Sequence, residues 1–292
     1  MPRVDEAWLA GFSHGLLALA DAHACPLVGG DTTAGPLNLC ITVFGEAPPG
    51  QALLRSGARP GDVWVLGKHR VMCGDSTSVD AVADLMAGAK VDMVFTDPPY
   101  GISVVSSQGK VGGATGGRGY YPGPVYSPVA GDENTDVAIE AIQVIATLEP
   151  RVQIIWGGNY YADHLPPSSC WLVWDKKNGT TDFADCELAW TNQKSPVRLF
   201  SHLWNGMIKG SERGEKRVHP TQKPVALAEW AIEKYGSNCE TVLDLFGGSG
   251  FTLIACERLG KAAYIMELSP NYCDVIVRRW QNLTKLTATL ES

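Results

Sequence analysis

Short apolar runs and helix-period segments alternate along the chain from about residue 62 onward. Apolar runs rich in Val, Ile and aromatic residues are typical of buried strands, whereas apolar residues spaced three and four apart are typical of helices. Strands are predicted at 62–66, 70–73, 91–96, 152–156, 170–174, 187–191, 197–203, 241–246 and 262–267, and helices at 79–87, 135–148, 224–235, 250–259 and 270–283. This order predicts an α/β fold with helices on both faces of a largely parallel sheet.

The first part of the chain does not share this alternation. A helix is predicted at 5–24 and a strand at 37–44. A chain of 292 residues is long enough for one large domain and a smaller part. We therefore expect a small α+β appendage over residues 1–66 and a main domain over residues 67–292.

A glycine-rich segment, residues 106–132, interrupts the main domain. Five glycines lie between positions 112 and 119, and two tyrosines follow them. Connections of this length without secondary structure of their own are uncommon in compact domains. We expect either a mobile lid or a disordered segment here.

Composition limits the environment and the chemistry. Hydrophobic residues make up 45% of the chain and charged residues 19%, as in ordinary soluble proteins. No apolar run approaches the roughly 18 residues that a membrane span needs. The eight cysteines are scattered without a C-x-x-C pair, and the six histidines show no ligand spacing. We therefore expect a cytoplasmic protein with no metal site and no membrane partner.

Charge is distributed unevenly along the chain. The net charge of −7 does not favour a nucleic-acid partner, because phosphate contacts usually come with a basic surface. Residues 194–223 nevertheless contain seven basic and only two acidic residues. This segment is either a solvated loop or a phosphate-binding surface, and charge alone does not choose between them.

A glycine-rich turn follows the predicted strand 241–246 and opens the next helix. The glycines of Asp244-Leu-Phe-Gly-Gly-Ser-Gly250 let the backbone turn sharply and approach a ligand without a Cβ clash. Glu267 ends the next strand, 17 residues beyond Gly250, where a carboxylate can accept hydrogen bonds from both hydroxyls of a ribose. The pattern indicates an adenosine-containing cofactor; a tight turn beside a surface glutamate is the alternative.

The run Asp97-Pro98-Pro99-Tyr100 follows the predicted strand 91–96. Consecutive prolines stiffen the chain and hold a carboxylate, a carbonyl and an aromatic ring in a fixed relation. The Asp97 carboxylate and the Pro98 carbonyl can accept the hydrogens of an exocyclic amine and stabilise the positive charge that develops on its nitrogen. Tyr100 can stack on an extruded base. A proline-rich turn that only ends a strand is the alternative.

Together these two motifs resemble those of the DNA amino-methyltransferases, and specifically their circularly permuted group, in which Asp-Pro-Pro-Tyr precedes the cofactor loop. The resemblance runs from about residue 67 to residue 292. Weaker segments follow in the expected order at 69–75, 154–160, 171–176 and 219–224, the last reading His-Pro-Thr-Gln-Lys-Pro. The resemblance implies a seven-stranded, Rossmann-like methyltransferase sheet with both loops at the carboxyl ends of adjacent strands.

The resemblance also implies a reaction. The enzyme would flip a base out of double-stranded DNA and methylate it from S-adenosylmethionine by direct displacement, without a covalent enzyme intermediate. The target base would be held by Asp97, Pro98, Pro99 and Tyr100. An Asp at the head of this motif is more typical of adenine N6 methylation than of cytosine N4 methylation, which is the alternative.

The same resemblance implies the cofactor contacts. Asp75 would lie near the adenine, Glu267 would bind the ribose, and Thr221 and Lys223 would contact the methionine carboxylate. The full set of implied cofactor-binding residues is Asp75, Thr221, Lys223, Asp244, Phe246, Gly247, Gly248, Gly250 and Glu267.

Target recognition is expected at residues 192–218, where the family places it. Because this segment is short, we expect a short recognition sequence or a homodimer in which a second copy contributes. The implied phosphate contacts are Lys194, Arg198, Lys209, Arg213, Lys216 and Arg217, with Trp204 and Asn205 as base readers.

Residues 5–66 resemble a different family, as an internal piece of thiamine-monophosphate kinase. The resemblance rests on Leu-Val-Gly-Gly-Asp-Thr-Thr at 27–33, the run at 35–43 and Gly-Glu-Ala-Pro-Pro-Gly at 45–50. Most of such a kinase is missing, so we expect a non-catalytic fusion. Methylation should then survive the removal of residues 1–60.

Two other interpretations remain open from the sequence. Related Pro-Pro-Tyr motifs serve the methylation of RNA or of protein amides, although the permuted order and the run at 219–224 count against this activity. The other interpretation is a decayed relative that only binds DNA. The presence of Asp97, Tyr100, Asp244 and Glu267 argues against decay.

Overall fold

The computed structural model describes residues 6–22, 57–106, 109, 126–178, 184–204, 209–212 and 214–291. The chain divides into two compact units, Met1–Leu53 and Leu54–Ser292. In the first unit, helix α1 (Glu6–Ala22) forms where the sequence predicts a helix. The predicted strand 37–44 and most of the glycine-rich segment 106–132 lie outside the described residues.

Ten strands form one sheet in the described part of the second unit. Across the sheet they follow the order β10-β1-β2-β9-β8-β3-β4-β6-β5-β7. The five neighbours β2, β9, β8, β3 and β4 are parallel, and β6 runs antiparallel to β4. The bounds are β1 Val63–Leu66, β2 His69–Cys73, β3 Met93–Thr96, β4 Val152–Trp156, β5 Trp171–Asp175, β6 Cys186–Thr191, β7 Arg198–Ser201, β8 Thr241–Asp244, β9 Ala262–Glu267 and β10 Thr289–Leu290.

The α/β class is confirmed, but the sheet has more strands than the seven predicted. At one edge, β1 pairs antiparallel with both β2 and β10. At the other edge, β7 lies parallel to β5. The two residues of β10 are too few to show an alternating pattern, so the sequence did not predict this strand. Strand β1 also lies on the N-terminal side of the predicted boundary at 66, yet it belongs to the sheet of the main domain.

Helices cover both faces of the sheet, as predicted. The bounds are α2 Val79–Met86, α3 Asp136–Thr147, α4 Val225–Tyr235, α5 Phe251–Arg258 and α6 Pro270–Thr284. Helices α2 and α3 pack against Val94 and Leu243, whereas α4, α5 and α6 pack against Phe95 and Val242. Successive residues of a strand point to opposite faces, so each central strand contributes to both cores. Among the described residues, no helix is long and apolar enough to cross a membrane.

Candidate active site

The carboxyl ends of four parallel neighbours gather the predicted site residues along one edge of the sheet. Strand β2 leads to Asp75, β9 ends in Glu267, β8 ends in Asp244, and β3 leads to Asp97. The hydroxyl of Thr96 on β3 donates to Asp244 Oδ1 at 2.8 Å. The glycine-rich loop and the Asp-Pro-Pro-Tyr loop are therefore side by side, as the sequence predicts.

Left-handed backbone shapes the glycine-rich loop. Gly248 and Gly250 have φ values of 49° and 76°, a region that favours glycine. The amide of Gly247 donates to the carbonyl of Met266 at 2.8 Å. A Cβ on Gly247 would lie 2.5 Å from Cγ2 of Ile265, so the loop passes close to β9 and needs a glycine there.

Asp244 holds this loop from inside. Its Oδ1 accepts from the hydroxyl of Thr96 and from the amide of Phe246 at 3.1 Å, and its Oδ2 accepts from the hydroxyl of Thr252 at 2.6 Å. The side chain is fully buried, and burial raises the pKa of Asp244 to about 7. Asp244 therefore ties β3, the loop and α5 together and helps to fix the shape of the loop.

Glu267 and Asp75 face the same end of the sheet. Glu267 Oε2 accepts from the amide of Gly248 at 2.7 Å, and its Oε1 accepts from the amide of Ser269 at 2.8 Å. Asp75 is exposed, and its Oδ1 accepts from the amide of Thr77 at 2.9 Å. Oδ1 of Asp75 also accepts from the Thr77 hydroxyl at 2.8 Å, so the lone pairs that can accept further hydrogen bonds are those of Asp75 Oδ2 and of both Glu267 oxygens.

The segment 219–224 lies against the glycine-rich loop. A Cβ on Gly248 would be 3.5 Å from the ring of His219, which also packs edge-on against Tyr272 with centroids 4.3 Å apart. Burial, with Arg217 and Lys223 nearby, lowers the pKa of His219 to about 3, so this ring is neutral at ordinary pH. Its Nδ1 lies 3.1 Å from the hydroxyl of Thr221.

Lys223 contacts the side chains that are predicted to hold the base. Its ammonium is 2.5 Å from Asp97 Oδ2, 2.9 Å from Glu187 Oε2 and 3.0 Å from the hydroxyl of Tyr100. Its side chain is only 4% exposed. The long side chain thus ends among the groups predicted to hold the base, and its contact with the methionine carboxylate stays a prediction.

A cluster of four charges surrounds the head of the Asp-Pro-Pro-Tyr motif. Asp97 Oδ1 lies 2.8 Å from the Tyr100 hydroxyl, and Lys223 bridges Asp97 to Glu187 on β6. Lys176, just after β5, forms an ion pair with the other oxygen of Glu187. Two carboxylates and two ammonium groups therefore balance in formal charge.

Burial and the neighbouring charges shift the pKa values of Asp97, Glu187 and Lys223 in different ways. Burial raises the pKa of Asp97, and Lys223 opposes that shift. Burial also acts to raise the pKa of Glu187, but Lys223 and Lys176 overcome it and lower the value to about 2. Burial acts to lower the pKa of Lys223, but Asp97 and Glu187 raise it. Glu187 and Lys223 are consequently held charged, whereas the pKa of Asp97 stays raised because burial and Glu187 outweigh Lys223.

Aromatic residues surround Tyr100. The ring of Tyr160 stacks on Tyr100 with centroids 4.9 Å apart and planes 18° apart, and Tyr160 is 45% exposed. The hydroxyl of Tyr161 donates to the carbonyls of Trp156 at 3.2 Å and of Pro98 at 3.4 Å. The Pro98 carbonyl therefore has one long contact and an acceptor lone pair to spare.

Gly157 sets the position of the Tyr100 ring. Its φ is 70°, and a Cβ there would lie 2.1 Å from Cε1 of Tyr100. We expect Gly157→Ala to displace this ring and to lower the rate of the methyl transfer that the sequence predicts by about 100-fold, because a misplacement of about 1 Å has effects of that size. Cofactor affinity, measured by calorimetry, should stay within about twofold. Gly88→Ala is the matched control, since its φ is 79° but its Cβ would meet nothing within 4 Å. Full activity in Gly157→Ala, or an equal loss in the control, would contradict this role.

Asp132 is a site residue that the sequence did not indicate. It is buried and accepts from the amides of Gly101 at 2.9 Å, Ile102 at 3.3 Å and Val104 at 2.7 Å, which fixes the chain directly after Tyr100. Its partners are backbone amides distant in sequence, so no side-chain motif marks the contact. Glu187 escaped notice for a similar reason, since a single acid in an apolar strand carries no spacing signal.

The predicted DNA-contacting residues are only partly on the surface. Lys194 and Lys216 are exposed, and Arg198 is half-buried at the start of β7. Lys209 donates to the carbonyl of Glu215 at 2.8 Å. Arg217 donates to the carbonyls of His219 and Pro220, and burial lowers its pKa, so its guanidinium is used within the protein. Arg213 lies outside the described residues.

Trp204 is not placed as a base reader. It is 5% exposed and belongs to the main hydrophobic core, and its Nε1 donates to the carbonyl of Gln222 at 2.9 Å. Its apolar ring and single donor are both satisfied inside the protein. The predicted companion reader, Asn205, lies outside the described residues. No group of three or more His, Cys, Asp or Glu side chains suited to a metal ion occurs among the described residues.

Two groups of known proteins match the chain, DNA methylases and thiamine-monophosphate kinases. The model of a family described as DNA methylase matches residues 131–278. The Type II methyltransferase M2.MboI of Moraxella bovis is 25% identical over 127 residues, which cover 43% of this chain and 46% of that protein. The matched family range contains the glycine-rich loop, Glu187 and Lys223, and begins downstream of Asp97.

The kinase resemblance is confirmed over a partial segment. The thiamine-monophosphate kinase of Salmonella typhimurium is 51% identical over 83 residues, which cover 28% of this chain and 24% of the kinase. That of Escherichia coli K12 is 51% identical over 65 residues and is covered to 20%. The chain thus spans a quarter or less of the length of these kinases.

Solved structures of DNA methyltransferases resemble the chain in part. The M1.HpyAVI–SAM complex has a TM-score of 0.46 and 20% identity, and the match covers 72% of this chain and 97% of that chain. The cytosine-N4-specific PvuII DNA methyltransferase has a TM-score of 0.46 and 14% identity, with 72% and 85% covered.

Proposed function

The chain belongs to the DNA methylase family of N6 and N4 amino-methyltransferases, and we propose that it transfers a methyl group from S-adenosylmethionine to the exocyclic N6 of adenine in double-stranded DNA. One observation carries the proposal: the Asp97 loop and the glycine-rich loop follow neighbouring strands and are joined by the 2.8 Å hydrogen bond from Thr96 to Asp244. Acceptors for an amine thus lie beside a loop suited to an adenosine-containing cofactor.

The residues around the glycine-rich loop fit S-adenosylmethionine. The side chains of Ser249 and Gln222 each bury a polar atom, Oγ and Nε2, for which the described residues supply no hydrogen-bond partner. Buried polar atoms are usually paired, so these two support a polar ligand at the loop. Glu267 has acceptor capacity for ribose hydroxyls. When bound, the cofactor supplies a methyl group activated by its positively charged sulfonium.

The base side of the site supplies acceptors and a stacking surface. Asp97 and the Pro98 carbonyl accept the amine hydrogens and stabilise the positive charge that develops on the nitrogen. A flipped base stacks on the face of Tyr100 that Tyr160 covers, and Tyr160 is exposed enough to rotate away. The direct displacement needs no nucleophilic residue, so positioning and electrostatics account for the catalysis.

Adenine is favoured over cytosine by the acid at the head of the motif. M2.MboI is named a Type II methyltransferase, which supports a role as the modification enzyme of a restriction-modification system. We expect the exposed Lys194 and Lys216 to contact phosphates, and a second copy of the chain to extend the short recognition segment.

Labelling tests the base assignment. The purified protein is incubated with tritiated S-adenosylmethionine and unmethylated genomic DNA, and the DNA is digested to nucleosides. Label in N6-methyl-2′-deoxyadenosine is the expected result. Label in N4-methyl-2′-deoxycytidine keeps the mechanism and overturns the base. Absence of label, with cofactor binding measured separately, would favour the decayed DNA-binding relative.

The N-terminal unit is proposed to be non-catalytic, because the chain spans a quarter or less of the kinases that it matches. A truncation test should begin upstream of residue 60. The reason is that the amide of Ala58 donates to Asp274 at 3.0 Å, so Ala58 is held by the main unit. We expect a chain of residues 54–292 to methylate DNA at the full-length rate within about twofold, since the catalytic and cofactor groups all lie in that unit. A folded, soluble truncation without activity would refute this expectation.

A further inference from the structure

The proposed function does not explain what keeps the buried Asp97 carboxyl ionised. An ionised Asp97 is the better acceptor for an amine hydrogen, because a protonated carboxyl carries a proton of its own to donate and keeps fewer free lone pairs. The Asp97 side chain is 11% exposed, and burial favours its neutral form. Some neighbouring group must therefore favour the charged form.

The geometry identifies that neighbour. Lys223 Nζ lies 2.5 Å from Asp97 Oδ2, and Glu187 holds the same ammonium at 2.9 Å. Lys176 in turn neutralises the second oxygen of Glu187. An ammonium fixed at Oδ2 leaves the second lone pair of Oδ1, which also accepts from the Tyr100 hydroxyl, for a substrate.

We propose that Lys223 is a positioning residue for methyl transfer: its ammonium, held between Glu187 and Asp97, keeps the Asp97 carboxylate ionised and turned to accept a hydrogen from the target amine. This inference rests on the proposed function and assigns Lys223 to the base side of the site. Glu187 anchors the lysine, and its own negative charge acts on Asp97 in the opposite sense.

Other groups also face Asp97. Tyr100 contacts it from its own loop, and Tyr161 approaches from the turn after β4. Asp244, at the end of β8, lies near enough that the charge of Asp97 raises its pKa. Lys223 and Glu187 are the charged side chains that touch one another and the Asp97–Tyr100 pair, so their removal should move the titration of Asp97 most.

The test is the pH dependence of the single-turnover rate in two variants. The rate falls as acid protonates Asp97. Lys223→Met removes a positive neighbour and raises the pKa of Asp97. The acid limb, which is the part of the pH–rate profile where the rate falls as the pH is lowered, should therefore move to higher pH. We expect the single-turnover rate near neutral pH to fall at least about tenfold. Glu187→Gln removes a negative neighbour and should move the acid limb to lower pH. Lys223→Arg should restore the wild-type limb.

Controls separate this role from folding and from cofactor binding. Lys234→Met, an exposed lysine on α4, should leave the profile unchanged. If Lys223→Met does not fold, the same measurement on Lys223→Gln, which also removes the positive charge, decides the matter. A pH–rate profile whose acid limb does not move in Lys223→Met, or moves to lower pH, would overturn the proposal. So would a cofactor dissociation constant raised tenfold in Lys223→Met with an unmoved limb, because the lysine would then belong to the cofactor site.

A second readout distinguishes failure of this inference from failure of the proposed function. Infrared difference spectra across a pH titration, with Asp97→Asn as the reference, report the protonation of Asp97 without any DNA. If the wild type methylates no DNA, the proposed function fails, and the infrared titration still decides whether Lys223 keeps Asp97 ionised. An Asp97 titration that does not change in Lys223→Met contradicts the inference, even in an active enzyme.

Discussion

We expect Asp97→Asn to lower the single-turnover methylation rate by about a thousand-fold while the dissociation constant of S-adenosylmethionine changes less than about twofold. Removal of one preorganised group that stabilises transition-state charge lowers rates by about 10²–10³-fold. Asparagine keeps the shape but loses the charge, and it leaves the buried Lys223 without one of its two carboxylates. The rate is measured with tritiated cofactor and the affinity by calorimetry.

The matched control for this substitution is Asp84→Asn, at an exposed position on α2. It removes the same charge far from the Asp97 loop and should leave both quantities unchanged. An Asp97→Asn variant with more than a tenth of the wild-type rate would show that the carboxylate charge is not what stabilises the reacting amine.

Glu267→Ala should have the largest effect on cofactor affinity. Its two oxygens accept from the amides of Gly248 and Ser269 at 2.7 and 2.8 Å. The substitution removes the proposed ribose acceptor and leaves a loop amide unpaired, and hydrogen bonds to charged groups contribute about 1.5–3 kcal/mol. We therefore expect the dissociation constant of S-adenosylmethionine to rise roughly 10- to 100-fold.

At saturating cofactor, the Glu267→Ala variant should recover most of its rate, because Asp97 and Tyr100 are untouched. Glu140→Ala, on the exposed side of α3, is the control. An unchanged dissociation constant, or a rate that stays low at saturation, would move Glu267 out of the cofactor site.

The sequence predicted the layout of the fold because its signals were periodic. Strands β4 and β9 occupy the predicted ranges, and the five helices of the main unit lie within one residue of theirs. Placing Asp97 beside Asp244 rested on the family resemblance, which implies that their strands are neighbours, and on the rule that parallel strands align their carboxyl ends at one edge. The additional strand β10 was missed because two residues carry no period.

The roles of individual side chains were harder to predict, because they depend on how deeply each side chain is buried and on which neighbours it reaches. Lys223 was assigned to the cofactor from its motif, but a long side chain reaches several neighbours, and only the fold shows that Glu187 lies within reach. Trp204 lies in a basic segment, which suggested base contact, yet its ring completes the core. Asp132 binds backbone amides, which no residue pattern marks.

The most direct test of the central claim offers three acceptors in parallel reactions: duplex DNA, RNA and a mixture of proteins, each with tritiated S-adenosylmethionine and with either wild type or Asp97→Asn. We predict label in the duplex DNA only, on an exocyclic amine, and its loss in Asp97→Asn. Label in RNA or protein, or DNA labelling that survives in Asp97→Asn, would contradict the assignment of this site to DNA amino-methylation.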